Sequence, residues 1–442
     1  MIQIGCRLWN LSIVSVLVLT FSNILLTIRL LHSSDCRRQD TSPPEPPRHE
    51  QSFPGTQQPC RSAPADPARS NATFQVNLKL GRWDSRHIFK DFDFAVVGEH
   101  FAALSARHAV CLATQASLER MGSLVEVAHR WEGPLSAALF AAADEYALVE
   151  AYVAFARRCY AAVRERVSFH LVYPGDRPPP VERGGGAEAA AARLDCRRPE
   201  AALQELLRAR RPETARWRMR AAYPQNHMRN VARRNCQGSH VFLTDVDIIP
   251  SSGLAAGLDA FVRAHRCRDK CAYVIPTYEL DERVRFPHNK TELIRLAKKG
   301  LARPFHHKVF IFNQFATNFS RWEQNAETEE TTVHISHSVT NFEFLYEPFY
   351  VAPDIVPAHD ERFIGYGYTR NTQVYEMFVA GWQFHVLSPV FTCHWGLQNK
   401  KGRPSWRERQ NSMNRRHFEV FKAEVFARYR KDPLKMVSSK TR

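Results

Sequence analysis

Short apolar runs alternate with longer amphipathic stretches from about residue 92 to residue 429. Short apolar runs are typical of buried strands, and longer stretches with one apolar face are typical of helices. The predicted strands are Ala109–Thr114, Leu135–Ala142, Val167–Tyr173, His240–Ile249 and Ala272–Pro276, and the predicted helices are Asp144–Ala162 and Glu200–Arg210. This alternation predicts an α/β fold whose sheet is largely parallel.

Other segments depart from this pattern. Residues 33–71 are rich in Pro, Ser, Gln and Arg, and we expect them to form an extended stem. The segment Pro178–Arg193 begins as a Pro- and Gly-rich loop, and its Ala-rich end can open a helix. Near the C-terminus, one helical face is predicted to pack on the body through Phe418, Phe421, Val425, Phe426 and Tyr429.

The N-terminal region predicts a membrane anchor. The stretch Leu8–Ile28 contains 21 residues without a charge, which is enough to span a bilayer. Its length and the lack of a small-residue cleavage site favour an uncleaved signal anchor. We therefore expect a cytosolic N-terminus at 1–7, an anchor at 8–28, a stem at 29–91 and a folded catalytic domain at 92–442.

The flanking arginines do not orient the anchor, because positive charge lies on both sides of it. Glycosylation sequons begin at Asn71, Asn289 and Asn318, and the chain has ten cysteines. Both features favour a body on the lumenal side. The cysteine pairing stays open at this stage, although the spacing of Cys267 and Cys271 does not suit a zinc site.

Composition excludes several classes of protein. Hydrophobic residues make up 44% of the 442 residues and charged residues 24%, which excludes global disorder, collagen and coiled coil. The formal net charge is +16, and residues 400–442 contain 14 Lys/Arg against 4 Asp/Glu. A basic tail suits nucleic acid, an anionic membrane, an anionic small substrate or simply a solvated helix. Nucleic acid is the weakest of these, since a lumenal body does not meet it.

The pattern Asp245-Val246-Asp247 follows the apolar run that ends at Leu243. If this segment is a strand, its two carboxylates point to one side of the sheet. Close carboxylates repel each other, and a divalent cation such as Mg²⁺ or Mn²⁺ relieves that repulsion. The alternative is a pair of exposed turn aspartates. We favour a metal site that binds a nucleotide diphosphate at the sheet edge.

A second candidate region, residues 347–371, is rich in aromatic side chains, carboxylates and glycines. Aromatic rings stack on sugar C–H faces and carboxylates accept hydroxyl protons, so the composition suits sugar binding. Asp360 and Glu361 are the candidate general bases. The alternative is that one of them caps a helix or pairs with Arg362.

Two further segments offer single candidates. His394 ends an apolar run and could complete a metal site, although a lone histidine is more often structural. Arg229 lies where a turn opens a helix and could reach a phosphate, unless it is a surface arginine. Dinucleotide, phosphate-loop, serine-hydrolase and HExxH motifs are absent, which disfavours kinases, hydride-transfer enzymes and serine hydrolases.

In these residues the sequence resembles the glycosyltransferase 49 family. The similarity covers roughly Ala109–Tyr429 in seven ordered blocks. The blocks are Cys111–Thr114, Arg130–Ser136, Tyr223–Arg233, Thr244–Ser251, Thr317–Trp322, Glu347–Ala352 and Asp360–Gly367.

The resemblance implies a GT-A type nucleotide-sugar-binding fold with a mixed, mostly parallel sheet. It implies a single-pass type II Golgi membrane enzyme that carries out an inverting, Mn²⁺-dependent transfer of glucuronic acid from UDP-glucuronic acid. The implied acceptor is β-xylose on the O-mannosyl glycan of dystroglycan. The implied site residues are Asp245, Asp247 and His394 for the metal, Thr114, Arg229 and Asn230 for the donor, and Asp360 or Glu361 as base.

The chain departs from the family pattern at residues 394–398. It has His-Trp-Gly-Leu-Gln where the family has His-Lys-Gly-Phe-Lys, so two lysines that could contact phosphate are replaced. Transfer of another UDP-sugar, such as N-acetylglucosamine, is therefore the first alternative. A non-catalytic, membrane-anchored glycan-binding protein is the second. The sequence leaves the oligomeric state open.

Overall fold

The computed structural model describes residues 74, 76–180, 186–265, 267, 270–324, 332–399 and 404–437. The predicted anchor and the sequon at Asn71 lie outside these residues. No helix in the described part of the chain is long and apolar enough to cross a bilayer.

The described residues form strands that belong to two sheets. The strands are β1 (Arg82–Trp83), β2 (Phe89–Val96), β3 (Val110–Ser117), β4 (Leu135–Phe140), β5 (Val167–Pro174), β6 (His240–Leu243), β7 (Ile249–Pro250), β8 (Cys271–Ile275), β9 (Thr277–Leu280), β10 (Ala302–Pro304), β11 (His334–Ser338), β12 (Phe349–Pro353), β13 (Gln383–Ser388) and β14 (Thr392–Trp395).

The helices are also numbered in chain order. They are α1 (Phe101–Arg107), α2 (Ser123–Arg130), α3 (Glu145–Cys159), α4 (Ala161–Arg166), α5 (Ala187–Arg193), α6 (Pro199–Arg208), α7 (Pro212–Arg220), α8 (Gln225–Arg234), α9 (Leu254–Ala264), α10 (Lys290–Lys298), α11 (Phe319–Gln324), α12 (Arg370–Val379) and α13 (Ser405–Tyr429). Short 3₁₀ segments lie at Leu118–Arg120, Ile311–Asn313 and Phe315–Thr317.

The larger sheet is mixed, which confirms the predicted α/β class. Its strand order is β1-β2-β5-β4-β3-β6-β12-β8-β13-β11. The run β5-β4-β3-β6 is parallel, as is the β8–β13 pair, and β12 enters antiparallel between β6 and β8. The smaller sheet has the order β10-β9-β14-β7.

Helices cover both faces of the larger sheet. Because side chains alternate along a strand, neighbouring residues of β3 pack on opposite sides. Ala113 packs with Met228 and Val231 of α8, whereas Leu112 belongs to the core that includes Phe155 of α3. The helix α8 therefore lies on one face of the parallel strands, and its residues come close to the ends of those strands.

Most predicted strands are confirmed, but the predicted strand over residues 240–249 is wrong beyond Leu243. The N–H of Thr244 still bonds to the carbonyl of Ala113 at 2.9 Å, and then the N–H of Ile248 closes a turn onto the carbonyl of Asp245 at 3.0 Å. The chain leaves the larger sheet through this turn and enters the smaller one at β7. The argument that strand alternation aligns Asp245 with Asp247 therefore does not apply.

The helical predictions need smaller corrections. The predicted helix over residues 144–162 ends at Cys159, because Tyr160 has an extended backbone, and α4 follows. The Ala-rich end of the low-complexity segment forms α5. On α13, Phe418, Phe421 and Val425 are buried as predicted, but Phe426 is exposed.

The N-terminal part of the described chain belongs to the folded body. Phe74 and Val76 are buried in the main core, and β1 pairs with β2. The predicted boundary at residue 92 falls inside β2, so the sheet begins in the segment that we assigned to the stem. Within the described residues, three disulfides join Cys111 to Cys236, Cys159 to Cys196 and Cys267 to Cys271.

Candidate active site

Asp245 lies where β6 ends, and two buried arginines hold its carboxylate. Arg229 of α8 donates to Oδ1 at 3.0 Å, and Nη2 of Arg370, the first residue of α12, lies 3.0 Å from Oδ2. The Gln115 amide of β3 donates to Oδ1 at 3.4 Å. Burial raises the pKa of Asp245, but Arg370 and Arg229 outweigh that effect and hold it well below its usual range. Asp245 is therefore a carboxylate, and Arg229 is not a surface arginine.

Asp247 lies beside His394, the other side chain that was named with it as a candidate metal ligand. Its Oδ2 is 3.5 Å from Nε2 of His394 and 3.6 Å from Nη1 of the largely exposed Arg120. The pairing of β14 with β7 brings His394 next to the turn that carries Asp247. An imidazole nitrogen and a carboxylate oxygen are donors that Mn²⁺ accepts, so these two side chains fit a metal.

Asp245, the third predicted metal ligand, differs from Asp247 and His394, because arginines occupy both of its carboxylate oxygens. No group of three or more His, Cys, Asp or Glu side chains within the described ranges is arranged to hold a metal ion. The structure therefore divides the Asp-x-Asp motif, with one carboxylate held by arginine and the other beside the histidine.

His306 belongs to this region although no sequence motif marked it. It lies close enough to His394, Asp245 and Asp247 for their charges to affect its pKa, which burial lowers to about 4. Its backbone has a left-handed φ of 61°, and its N–H bonds to the buried carboxylate of Glu279 at 2.9 Å. At a pKa of about 4 the side chain is a neutral imidazole at neutral pH.

Glu347 is a second residue that was not predicted as part of the site, although it is the first residue of the family-like block Glu347–Ala352. It lies just before β12 and accepts a hydrogen bond from the Asn313 amide at 2.9 Å. Burial raises its pKa, and the nearby charge of Asp245 adds to that rise, while Arg370 and Arg229 oppose it. A carboxyl group with a raised pKa beside two arginines is a candidate for proton transfer.

The predicted base candidates, Asp360 and Glu361, lie in a loop that packs against α8. The Arg362 guanidinium binds Asp360 through both carboxylate oxygens, at 2.6–3.0 Å. Glu361 accepts from Asn230 at 2.8 Å and lies 2.9 Å from Nδ1 of His227. The alternative that Asp360 pairs with Arg362 is thus confirmed, and Asn230 lies with Glu361 rather than with the arginine cluster.

Helix α8 nevertheless connects the two regions. The Asn226 amide donates to the carbonyl of Asp360 at 2.9 Å and accepts from Arg229 at 3.1 Å. The loop that begins at Asp360 ends at Arg370, which contacts Asp245. A continuous series of contacts therefore joins Asp360 to the Asp245 cluster through Asn226 and Arg229.

Thr114 is not part of either group. Its neighbour Gln115 contacts Asp245, so alternation along β3 directs the Thr114 side chain to the opposite face. The side chain is fully buried, and its hydroxyl has no hydrogen-bond partner within the described residues.

Comparison with known proteins shows the family of this chain. A family described as glycosyl-transferase for dystroglycan (glycosyltransferase 49) matches residues 109–430, and the chain belongs to this family of glycosyltransferases. Beta-1,4-glucuronyltransferase 1 is 35% identical in Mus musculus and 34% identical in Homo sapiens, over 73% of this chain and 77% of each relative. Xylosyl- and glucuronyltransferase LARGE2 of Mus musculus is 26% identical over 65% of this chain and 34% of that protein.

Proposed function

We propose that this glycosyltransferase transfers glucuronic acid from UDP-glucuronic acid to a β-xylose acceptor, with inversion and with Mn²⁺. The observation that carries the proposal is the Asp247–His394 pair beside Asp245 and its two buried arginines. The similarity to beta-1,4-glucuronyltransferase 1 supports the choice of sugar. The acceptor that we propose is β-xylose on the O-mannosyl glycan of dystroglycan.

Asp247 and His394 would hold the cation, and Asp245 would orient the donor through its arginines. When bound, the cation offsets the negative charge of the departing diphosphate. Arg229 and Arg370 provide two positive charges against the single charge of Asp245, so this part of the site suits a donor with an anionic sugar and an anionic diphosphate. The replaced family lysines leave this arginine pair as the main buried positive charge near the site within the described residues.

The base that deprotonates the acceptor hydroxyl is proposed to be Glu347 rather than Asp360 or Glu361. The Arg362 guanidinium occupies both oxygens of Asp360, and a charged His227 holds Glu361. Glu347 is close enough to Asp245, Arg229 and Arg370 for their charges to affect its pKa, and burial raises that pKa, which favours general-base catalysis.

A comparison of Glu347→Gln, Glu361→Gln and Asp360→Asn tests this assignment. We expect the Glu347 change to lower kcat by about 10²–10⁴-fold, as is usual for loss of a general base. The other two should alter KM for the acceptor more than kcat. If Glu361→Gln shows the large loss in kcat and Glu347→Gln does not, the base is Glu361.

The experiment that tests the function is a donor screen with purified enzyme, with and without Mn²⁺, on β-xylosides. UDP-glucuronic acid should be the preferred donor, and Asp247→Asn should abolish transfer while leaving the fold intact by circular dichroism. Preference for UDP-N-acetylglucosamine would support the first alternative. Glycan binding without any turnover or manganese requirement would support the non-catalytic one.

We propose a single-pass type II location in the Golgi membrane with a lumenal catalytic domain. The three disulfides support an oxidising compartment, because such bonds are rare in the cytosol. The sequons at Asn289 and Asn318 lie at exposed positions. Protease protection of the C-terminus in sealed vesicles would agree with this topology, and cytosolic exposure would contradict it.

A further inference from the structure

A cavity with a volume of about 440 Å³ lies next to α8, outside the Asp245 cluster. One wall is the hairpin of β1 and β2, which precedes the segment matched by the family. The other wall is the loop that carries Asp360 and Glu361, and His227, Asn230 and Arg234 of α8 form the floor.

Acidic and basic side chains are arranged differently around this cavity. The lining carboxylates turn inward, with side-chain exposures of 1% for Asp84, 2% for Asp91, 16% for Asp360 and 25% for Glu361. The lining guanidinium groups remain accessible, with 58% for Arg82, 31% for Arg86, 30% for Arg234 and 41% for Arg362. Each of these arginines also pairs with a carboxylate, so a ligand meets exposed guanidinium groups in a lining whose charges nearly balance.

The floor adds another positive charge. His227 is buried between Asp91, at 2.7 Å, and Glu361, at 2.9 Å. Burial lowers the pKa of His227, but the hydrogen bonds that its imidazole donates to both carboxylates raise it to about 9. With His227 charged, the lining has five positive groups against four carboxylates, so it carries a net charge of +1.

The hairpin wall is held in one conformation. The Asp84 carboxylate accepts the backbone N–H groups of Ile88 at 2.6 Å and Phe89 at 2.8 Å, which fixes the turn. The Trp83 ring lies over Gly175, where an added Cβ would come within 2.8 Å of the ring. Because Trp83 remains partly exposed, the wall presents an aromatic ring in a fixed position next to Arg82 and Arg86.

We propose that this cavity binds an anionic group, a phosphate or a carboxylate, on the acceptor glycan at a distance from the hydroxyl that receives the sugar. Arginine guanidinium groups pair with such anions, and an exposed tryptophan ring stacks on a sugar. The position fits an acceptor, because Asn226 links this region to the Asp245 cluster. The inference rests on the proposed function and adds a second contact site for the acceptor.

Three β-xylosides of equal length test the proposal, with spacers that end in a phosphate monoester, a carboxylate or a neutral hydroxyl group. KM is measured for each xyloside with UDP-glucuronic acid and Mn²⁺, at low and high salt. Wild-type enzyme should show a KM about tenfold lower for one of the anionic xylosides than for the neutral one. Higher salt should reduce that ratio, because it screens accessible charges.

The ratio to follow is the KM for the neutral xyloside divided by the KM for the preferred anionic xyloside. Arg82→Ala and Arg86→Ala should each reduce this ratio about threefold or more. Arg283→Ala is the matched control, since Arg283 is exposed and lies outside the cavity, and it should keep the wild-type ratio. Equal KM values for charged and neutral xylosides in wild-type enzyme would overturn the proposal. An unchanged ratio in both cavity variants would also overturn it.

Calorimetric titration of the same xylosides, without donor, separates this inference from the proposed function. If no xyloside is glucuronylated but the anionic ones bind more tightly and lose that advantage in Arg82→Ala, the proposed function fails and the cavity assignment stands. If transfer occurs at the same efficiency on all three and the titrations show equal affinity, the cavity assignment fails alone.

Discussion

The histidine between two carboxylates leads to a prediction about stability and pH. His227 contacts Asp91 and Glu361, and its side chain is 2% exposed. Its pKa is about 9 in the folded protein against an ordinary value of 6.5. At about 1.4 kcal/mol for each pH unit, the difference corresponds to about 3 kcal/mol of stability.

The sign follows from the direction of the shift. A folded-state pKa above the unfolded value stabilises the protein fully below pH 6.5, and this stabilisation is lost as the pH rises through 9. His227→Gln removes the titration. The variant should therefore be less stable than wild type by a margin that is about 3 kcal/mol larger at pH 6 than at pH 10.

Urea denaturation with intact disulfides, measured by tryptophan fluorescence at pH 6, 7.5, 9 and 10, gives this margin. His129→Gln is the control, because His129 lies exposed on α2 and should give no comparable margin at any of these pH values. A margin for His227→Gln that stays constant from pH 6 to pH 10 would refute the reasoning.

Three other changes test the packing around the site. Replacing Cys111 and Cys236 by serine frees the end of α8 from β3 and should cost about 3–5 kcal/mol, seen as a lower urea midpoint. The Asn414 amide bonds to three carbonyls within residues 364–367, so Asn414→Ala should cost about 1–3 kcal/mol and raise KM for the acceptor, and an unchanged KM would separate this loop from acceptor binding. Trp322 is fully buried with its indole N–H bonded to a carbonyl of β13, so Trp322→Ala should cost about 3–5 kcal/mol and Trp322→Phe less by thermal denaturation.

The comparison of sequence and structure is most informative at the Asp-x-Asp motif. The residue types and the preceding apolar run predicted a site at a sheet edge, and Asp247 does lie beside His394. The assumed strand geometry was wrong because the chain turns at Asp245 to change sheets. Local pattern cannot show such a turn when the residues on both sides of it are apolar.

The sequence by itself determined the alternation of strands and helices, the family and the residue types available for chemistry. These features depend on local periodicity and on ordered motifs, and both can be recognised without knowing which residues are in contact. Only the tertiary structure decided that Arg370 and Arg229 share one aspartate, that Glu347 and His306 join the site, and that Glu361 faces another cavity. Those facts depend on contacts between residues far apart in the chain, because burial and neighbouring charge, rather than sequence spacing, set the chemistry of an ionisable group.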